Sequence, residues 1–312
     1  MTKVLVTPRS FAKYSQKPYE LLKAKGIEIV MNPTGGILKE SDLKDLIKDV
    51  DGIIVGVDPL NEDILKEAKK LKVISKYGVG TDNIDIDYCK ANGIEVSITT
   101  SANSSAVADY AFTLLLAVAR KVIEIDKGCR SGDWSKKVSL DIYGKKLGIL
   151  GLGAIGKGVA QRAEGFNMEL YGYDVYKDEE FITDYKINFT SVEEIFRECD
   201  FISIHLPLNN ETHHLINENM IKLAKNNLII INTARGGIID EDDLYEALKF
   251  GKIYGAGIDV FENEPASNSR LLELNNVIVG SHCSASSIGA VDKMSMMASE
   301  NIINMLNGRG LI

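Results

Sequence analysis

Polar side chains able to do ionic or acid–base chemistry stand shortly after short apolar runs in the second half of the chain. His205 follows Phe201–Ile204, Arg235 follows Leu228–Ile231 through Asn232-Thr-Ala, Glu264 follows Gly255–Ile258 through Asp259-Val-Phe-Glu-Asn, and His282 follows Val277–Gly280 through Ser281. Open parallel sheets bind ligands beyond the carboxyl ends of their strands. An Arg, a Glu and a His in those positions would therefore line one crevice. Arg grips a carboxylate through two parallel N–H bonds. His takes or gives a hydroxyl proton near neutral pH, and a carboxylate beside it fixes its tautomer and favours its charged form.

Upstream, Leu147-Gly-Ile-Leu-Gly151-Leu-Gly153-Ala-Ile-Gly156 places G-x-G-x-x-G between an apolar strand and an apolar helical segment. Gly151 allows the tight turn, Gly153 lets the backbone approach a pyrophosphate, and Gly156 lets helix pack on strand. The pyrophosphate would sit on the helix N-terminus, where free N–H groups and the dipole favour an anion. Alone, the motif also suits an ordinary glycine-rich turn. Here a second strand ends in Tyr171-Gly-Tyr-Asp174, eighteen residues beyond Gly156. An acid at that spacing accepts hydrogen bonds from ribose hydroxyls and repels a 2′-phosphate, which points to NAD over NADP. With the Arg, Glu and His, the set suits hydride transfer at the carbon of a 2-hydroxy acid.

The elements that must hold these residues are short β-branched runs alternating with longer amphipathic stretches, the pattern of an α/β protein with parallel sheets. Val4–Thr7, Ile27–Met31, Gly52–Val55, Val73–Ser75 and Ile94–Ile98 make a first doubly wound set, with helical segments at Leu43–Asp49 and Glu62–Lys70 between them. Ser104 and Ser105 are expected to cap a helix to about Arg120, its Val107, Ala111, Leu114, Leu115 and Val118 forming a buried stripe. Gly128–Lys137 reads as a polar turn around Trp134, which is expected to cover a core edge or a subunit interface. A second series has six strands: Leu147–Leu150, Glu169–Tyr173, Phe201–His205, Leu228–Asn232, Gly255–Asp259 and Val277–Gly280. One helix over Ser287–Leu306 is expected to fold back on the first domain. Length agrees with two domains, since 312 residues stand against roughly 150 per domain. With 44 acidic and 36 basic residues the net charge is −8, which argues against nucleic acid and anionic membrane as partners. Four scattered cysteines without C-x-x-C read as reduced thiols in a cytoplasmic protein, with no disulfide framework and no metal site. No signal h-region and no membrane-length apolar stretch is found.

Taken together, Lys76-Tyr-Gly78-Val-Gly80-Thr-Asp-Asn-Ile-Asp85, the Gly151 motif, Asn232-Thr-Ala-Arg-Gly-Gly and Asp259-Val-Phe-Glu-Asn-Glu-Pro resemble the D-isomer-specific 2-hydroxyacid dehydrogenase family, in its phosphoglycerate-dehydrogenase-like branch. The resemblance covers nearly the whole chain. It implies an NAD-binding Rossmann domain, residues 99–284, inserted into a flavodoxin-like substrate-binding domain made of residues 1–98 and 285–312. It implies Arg235 as substrate-orienting residue, His282 as general acid/base and Glu264 as its partner. Backbone N–H groups around Gly78, Val79 and Gly80 would hold the substrate carboxylate. NAD contacts are implied at Ala154, Ile155, Asp174, Leu206, Pro207, Thr233, Ala234 and Asp259, and a homodimer joined through the cofactor domain is implied as well. The chain departs from relatives at Ser281-His282-Cys283, where Pro-His is usual, and at Gly56, Lys76 and Lys136, where phosphoglycerate dehydrogenases carry arginines. These departures favour a small unphosphorylated keto acid, such as hydroxypyruvate or glyoxylate, over 3-phosphohydroxypyruvate. The alternatives are a true D-3-phosphoglycerate dehydrogenase and, from another class, an NAD-sensing interaction protein.

Other residues have plainer readings. His205 reads as lining the cofactor pocket rather than moving protons. His213 and His214 read as exposed histidines at the start of a helix, facing apart. Cys283 reads as a passive small side chain, and Asp240-Glu-Asp-Asp243 as a helix N-terminal turn complementing the dipole.

Overall fold

The β-branched runs of the chain form two all-parallel sheets in a computed structural model that describes residues 1–310. Packing divides the chain into two units, Met1–Asn103 with Ser286–Ile312, and Ser104–Ala285.

The first unit holds strands β1 (Lys3–Val6), β2 (Glu28–Met31), β3 (Gly52–Val55), β4 (Val73–Lys76) and β5 (Glu95–Ile98) in the order β2-β1-β3-β4-β5. That is the doubly wound order of flavodoxin-like sheets. Side chains alternate across the sheet: Leu5, Ile53 and Ile74 join a core with Leu43, Ile47 and Ile64, while Val4, Val6 and Ile54 join another with Leu22, Ile302 and Leu306. The helix Ile288–Gly308 supplies the second core and packs on β3, β4, β5 and the helix Lys17–Ala24. Ser287 caps it, its hydroxyl accepting the Ala290 N–H at 3.2 Å, which accounts for a start where the sequence places one. Glu62–Leu65 is a single helical turn, shorter than its apolar pattern suggests, and the second helical segment lies at Glu40–Ile47.

The second unit holds β6 (Lys146–Leu150), β7 (Glu169–Tyr173), β8 (Asn188–Phe189), β9 (Phe201–Ile204), β10 (Ile229–Asn232), β11 (Gly255–Ile258) and β12 (Val277–Val279). Their order is β12-β11-β10-β9-β6-β7-β8, so the winding reverses between β6 and β9. Strands β9, β10 and β11 are buried at every residue, as expected of parallel strands covered on both faces. The helix Ser104–Ala119 lies on β10 and β11 through Ala111, Leu114, Leu115 and Val118.

The sheet has seven strands, not six. The seventh, β8, is a two-residue edge strand paired to β7, too short to carry an alternating pattern. Ser104 is the first residue of its helix rather than a residue before it, and that helix ends at Ala119. A further helix, Val122–Arg130, includes Gly128, where the sequence suggested a polar turn. His213 and His214 lie in a turn, not at a helix start, and their rings stack at 4.0 Å instead of facing apart. Among the described residues no helix is long and apolar enough to cross a membrane. The four cysteines are free, and burial pushes the Cys89 thiol up to about 11 and that of Cys199 higher still.

Candidate active site

The reversal between β6 and β9 is where the glycine-rich turn emerges. Gly151 leaves β6 with φ +96°, a conformation L side chains rarely adopt. A Cβ on Gly156 would stand 1.9 Å from the Gly151 carbonyl oxygen, so only glycine lets the helix Ala154–Glu164 come this close to the turn. A Cβ on Gly153 would meet nothing within 4 Å. Open space at that helix start is what an incoming pyrophosphate requires, and Gly153 makes no side-chain cap that would compete for the first N–H groups. Asp174, just past β7, accepts the Leu152 N–H through Oδ2 at 2.6 Å and the Tyr176 N–H through Oδ1 at 2.9 Å. It thereby ties the end of β7 to the turn.

Two polar atoms at the ends of the next strands are buried without a partner among the described residues: His205 Nδ1 after β9 and Thr233 Oγ1 after β10. Orphaned polar atoms are rare in folded proteins and mark places where a ligand completes the bonding. His205 Nε2 lies 2.8 Å from Ser203 Oγ, and burial pushes its imidazole down to about 3, so the ring is neutral at physiological pH. Leu206 is buried and Pro207 exposed beside it. The open Gly153, the acid at Asp174 and the orphaned atoms all fit a dinucleotide.

The Asn232 side chain shapes the turn after β10. Its Oδ1 accepts the Ala234 N–H at 3.0 Å and its Nδ2 donates to the Arg235 carbonyl at 2.9 Å. The half-buried Arg235 guanidinium donates to the Ala234 carbonyl at 2.7 Å. After β11, Glu264 Oε1 accepts the Phe261 N–H at 3.1 Å, which leaves Oε2 aimed at His282 Nδ1, 2.9 Å away. With Nδ1 engaged, Nε2 is the nitrogen through which His282 can exchange a proton with a ligand.

Asp259 organises the loop that carries this histidine. Its carbonyl accepts the His282 N–H at 2.8 Å, and its fully buried carboxylate accepts the N–H groups of Cys283 and Ser284 at 3.0 and 2.9 Å. These bonds hold His282 at φ +54°. The Cys283 thiol lies 3.4 Å from Tyr110 Oη and 3.7 Å from Asp259 Oδ1. It therefore takes part in the network, where the sequence suggested a bystander.

In the other unit, Gly78 leaves β4 at φ +129°, its N–H donating to Thr99 Oγ1 at 2.8 Å. The N–H groups of Val79 and Gly80 donate to no acceptor among the described residues, and the Val79 side chain is exposed. Lys76 is buried; its Nζ donates to the Gly56 carbonyl and to Asn83 Oδ1.

The structure thus joins Glu264 to His282 as the sequence implies. It adds residues that spacing did not flag. His214, Asp240, Glu241 and Glu262 surround the Glu264 loop; the sequence marked His214 as an exposed histidine and Asp240 and Glu241 as part of a helix N-terminal turn, and none of them as a neighbour of Glu264. Asp240 does cap the helix Glu241–Lys249, accepting the N–H groups of Asp242 and Asp243.

A family model described as D-isomer specific 2-hydroxyacid dehydrogenase, NAD binding domain, matches residues 112–284. A glyoxylate reductase of Pyrococcus horikoshii is 40% identical over 272 residues, which cover 84% of this chain and 81% of that protein. A hydroxypyruvate reductase of Thermotoga maritima is 37% identical over 306 residues, 95% of this chain and 99% of that protein. Among solved structures, a D-lactate dehydrogenase of Aquifex aeolicus complexed with NAD and lactic acid superposes with a TM-score of 0.84 at 30% identity, covering 99% of this chain and 96% of its own. The matched segment contains the Gly151 turn, Asp174, Arg235 and the Glu264–His282 pair, and the chain belongs to the D-isomer-specific 2-hydroxyacid dehydrogenase family, with a Rossmann NAD-binding domain.

Proposed function

We propose that the protein is an NAD-dependent reductase of small unphosphorylated 2-keto acids, of the glyoxylate and hydroxypyruvate kind, forming the D-2-hydroxy acid and able to run in reverse. The observation that carries this reading is the 2.9 Å contact between Glu264 Oε2 and His282 Nδ1. It leaves His282 Nε2 to deliver a proton to the substrate oxygen. NADH, when bound, supplies the hydride that goes to substrate C2. Arg235 orients the substrate through its carboxylate and carbonyl oxygens. With Gly78 opening the turn, the N–H groups of Val79 and Gly80, which donate to no acceptor among the described residues, are the proposed holders of the substrate carboxylate. Glu264 stabilises the imidazolium whenever His282 carries the proton. In these roles residues 1–98 and 285–312 serve the substrate, and residues 99–284 serve the cofactor through Gly151, Gly153, Ala154, Ile155, Gly156, Asp174, His205, Leu206, Pro207, Thr233, Ala234 and Asp259.

The preference for an unphosphorylated acid rests on Gly56 and Lys76. A phosphate of about −1.5 to −2 charge needs charge-assisted partners. Gly56 has no side chain to offer, and the Lys76 ammonium is buried on the Gly56 carbonyl and Asn83. Comparing kcat/KM for hydroxypyruvate, glyoxylate and 3-phosphohydroxypyruvate with NADH tests the choice. The unphosphorylated acids are expected to lead; a tenfold lead for the phosphorylated acid would make this a D-3-phosphoglycerate dehydrogenase.

The same proposal includes a cytoplasmic homodimer. Val122, Ile123, Trp134, Val138 and Tyr143 expose apolar surface along one stretch of the NAD-binding unit, Trp134 at 81% and Val138 at 90%. Large apolar side chains exposed in this number along one stretch of chain are what a subunit interface would cover. Light scattering on the purified protein should give twice the 34.3 kDa chain mass, and a monomer at micromolar concentration would refute the assembly.

A further inference from the structure

Glu264 sits on a four-residue loop, Phe261–Glu264, whose position sets where the carboxylate meets His282. Two other segments hold that loop. The first is the Arg235–Gly237 turn. A Cβ on Gly236 would stand 2.0 Å from the Phe261 carbonyl carbon, so the two backbones lie directly on one another. The second is His213–Ile216, which pairs with the chain after the turn: His214 N–H donates to the Gly237 carbonyl at 2.7 Å, Ile216 N–H to Ile238 at 3.1 Å, and Asp240 N–H to Ile216 at 2.9 Å.

From this second segment the His214 imidazole reaches between two carboxylates. Nε2 lies 2.9 Å from Glu262 Oε1, and Nδ1 lies 3.3 Å from Asp240 Oδ2. The ring of His213 stacks on it at 4.0 Å. His214 adopts φ +50°, a left-handed conformation uncommon outside glycine, and the three carbonyl and N–H pairings around it hold it there. Glu262 is gripped a second time, its N–H donating to Glu241 Oε1 at 2.6 Å. Burial of Glu241 pushes its carboxyl upward, as expected of a group enclosed with Glu262 and Asp242. Its other oxygen accepts from Ser269 Oγ at 3.2 Å.

We infer that His214 is a positioning residue for the acid–base pair: by joining Asp240 to Glu262 it fixes the Phe261–Glu264 loop and so the place of the Glu264 carboxylate against His282. The inference deepens the proposed function and rests on the assignment of Glu264 and His282 as that pair. It differs from a plain surface ion pair in what it predicts. A surface pair contributes little and touches stability alone. A positioning residue moves a catalytic group, and a misplacement of about 1 Å can cost on the order of 10²-fold in rate.

The test uses His214→Asn, because Asn tolerates the left-handed backbone but its short amide cannot span both carboxylates. Glu262→Gln, which keeps shape and removes charge, accompanies it. His282→Ala and Glu264→Gln serve as references. His214→Asn is expected to lower kcat about tenfold to a hundredfold with KM for NADH within about twofold. The alkaline limb of the kcat profile for keto acid reduction should move to lower pH, in the direction expected of Glu264→Gln, because the imidazolium loses part of its carboxylate support. Glu262→Gln should do the same more weakly, and it decides the matter alone if His214→Asn does not fold. If both variants leave kcat and the limb in place while His282→Ala is crippled, the inference fails and the acid–base reading stands. A fall in kcat with an unmoved limb signals general loss of order and overturns the inference as well. If His282→Ala stays active, both fall together.

Discussion

Asp174 offers a quantitative test of cofactor choice. Its two oxygens already accept the Leu152 and Tyr176 N–H groups at 2.6 and 2.9 Å. A carboxylate has about four lone-pair sites, so two remain for ribose hydroxyls. Asp174→Ala therefore removes two kinds of bond. Those to the backbone exist with and without cofactor, cancel from binding, and appear as lost stability of about 1–3 kcal/mol, because the N–H of the buried Leu152 is left without its acceptor. The ribose bonds count fully: a hydrogen bond to a charged group contributes about 1.5–3 kcal/mol, so NADH should bind about ten- to a hundredfold more weakly. For NADPH, a unit charge pair at 4 Å in water interacts by about 1 kcal/mol. A 2′-phosphate of about −1.5 to −2 charge then gains roughly 1.5–2 kcal/mol when the aspartate is removed. The two effects together, about 3–5 kcal/mol, move the NADH/NADPH ratio of kcat/KM by about two to four powers of ten toward NADPH. Asp174→Asn should move it less, since the amide keeps one acceptor oxygen. The assay is kcat/KM for both cofactors, with melting curves to account for the lost backbone bonds. A wild type that prefers NADPH, or a ratio within threefold of wild type in Asp174→Ala, refutes the reasoning.

Two more expectations can be checked directly. Because a placed general acid/base contributes roughly 10²–10⁴-fold, His282→Ala should lose at least a hundredfold in kcat while fluorescence titration still finds NADH bound, and Glu264→Gln should stay partly active with the alkaline limb at lower pH; an unmoved limb would break the pairing. Burial holds the His205 imidazole at about 3 in the folded protein against an ordinary 6.5, so between those values the unfolded chain binds the extra proton: its stabilising contribution is complete above pH 6.5 and declines as pH falls toward 3, by at most about 1.4 kcal/mol per pH unit. Urea melts of wild type and His205→Gln across that window should show a steeper decline in the wild type, and parallel curves would contradict it.

What could be read from the chain was whatever its local pattern specifies. Apolar runs such as Leu228–Ile231 announce buried parallel strands because both faces are covered, and Gly151, Gly156 and Asp174 announce the turn because their spacing is fixed by one βαβ unit. Elements whose identity depends on distant partners were hidden. Strand β8 has two residues and exists through its pairing with Tyr171 and Gly172. Gly128 suggested a turn, yet it lies inside Val122–Arg130, where neighbouring residues outweigh its low helix propensity. His213 and His214 looked like a helix start because Asn209-Asn-Glu-Thr precedes them. In fact Asn209 and Thr212 bond one another within a closed turn, and the partner of His214, Glu262, is 48 residues away.

The histidine loop shows how a local departure is absorbed at a distance. Ser281 stands where the resemblance to the family leads one to expect proline, and a residue other than proline leaves φ unfixed just before His282. Read along the chain, this loosens His282. In the fold, Asp259 lies at the end of β11 and meets the loop with a carbonyl and both carboxylate oxygens, taking the N–H groups of three consecutive residues, His282, Cys283 and Ser284. Three bonds from one buried residue determine the loop's course more strongly than one fixed dihedral, since the two to its carboxylate contribute about 1.5–3 kcal/mol each and the one to its carbonyl about 0.5–1.5 kcal/mol. The left-handed backbone of His282, unfavourable in isolation, is then the conformation that lets all three N–H groups point to Asp259 while the ring faces Glu264. Asp259 thus fixes the loop that carries His282 through the backbone it anchors.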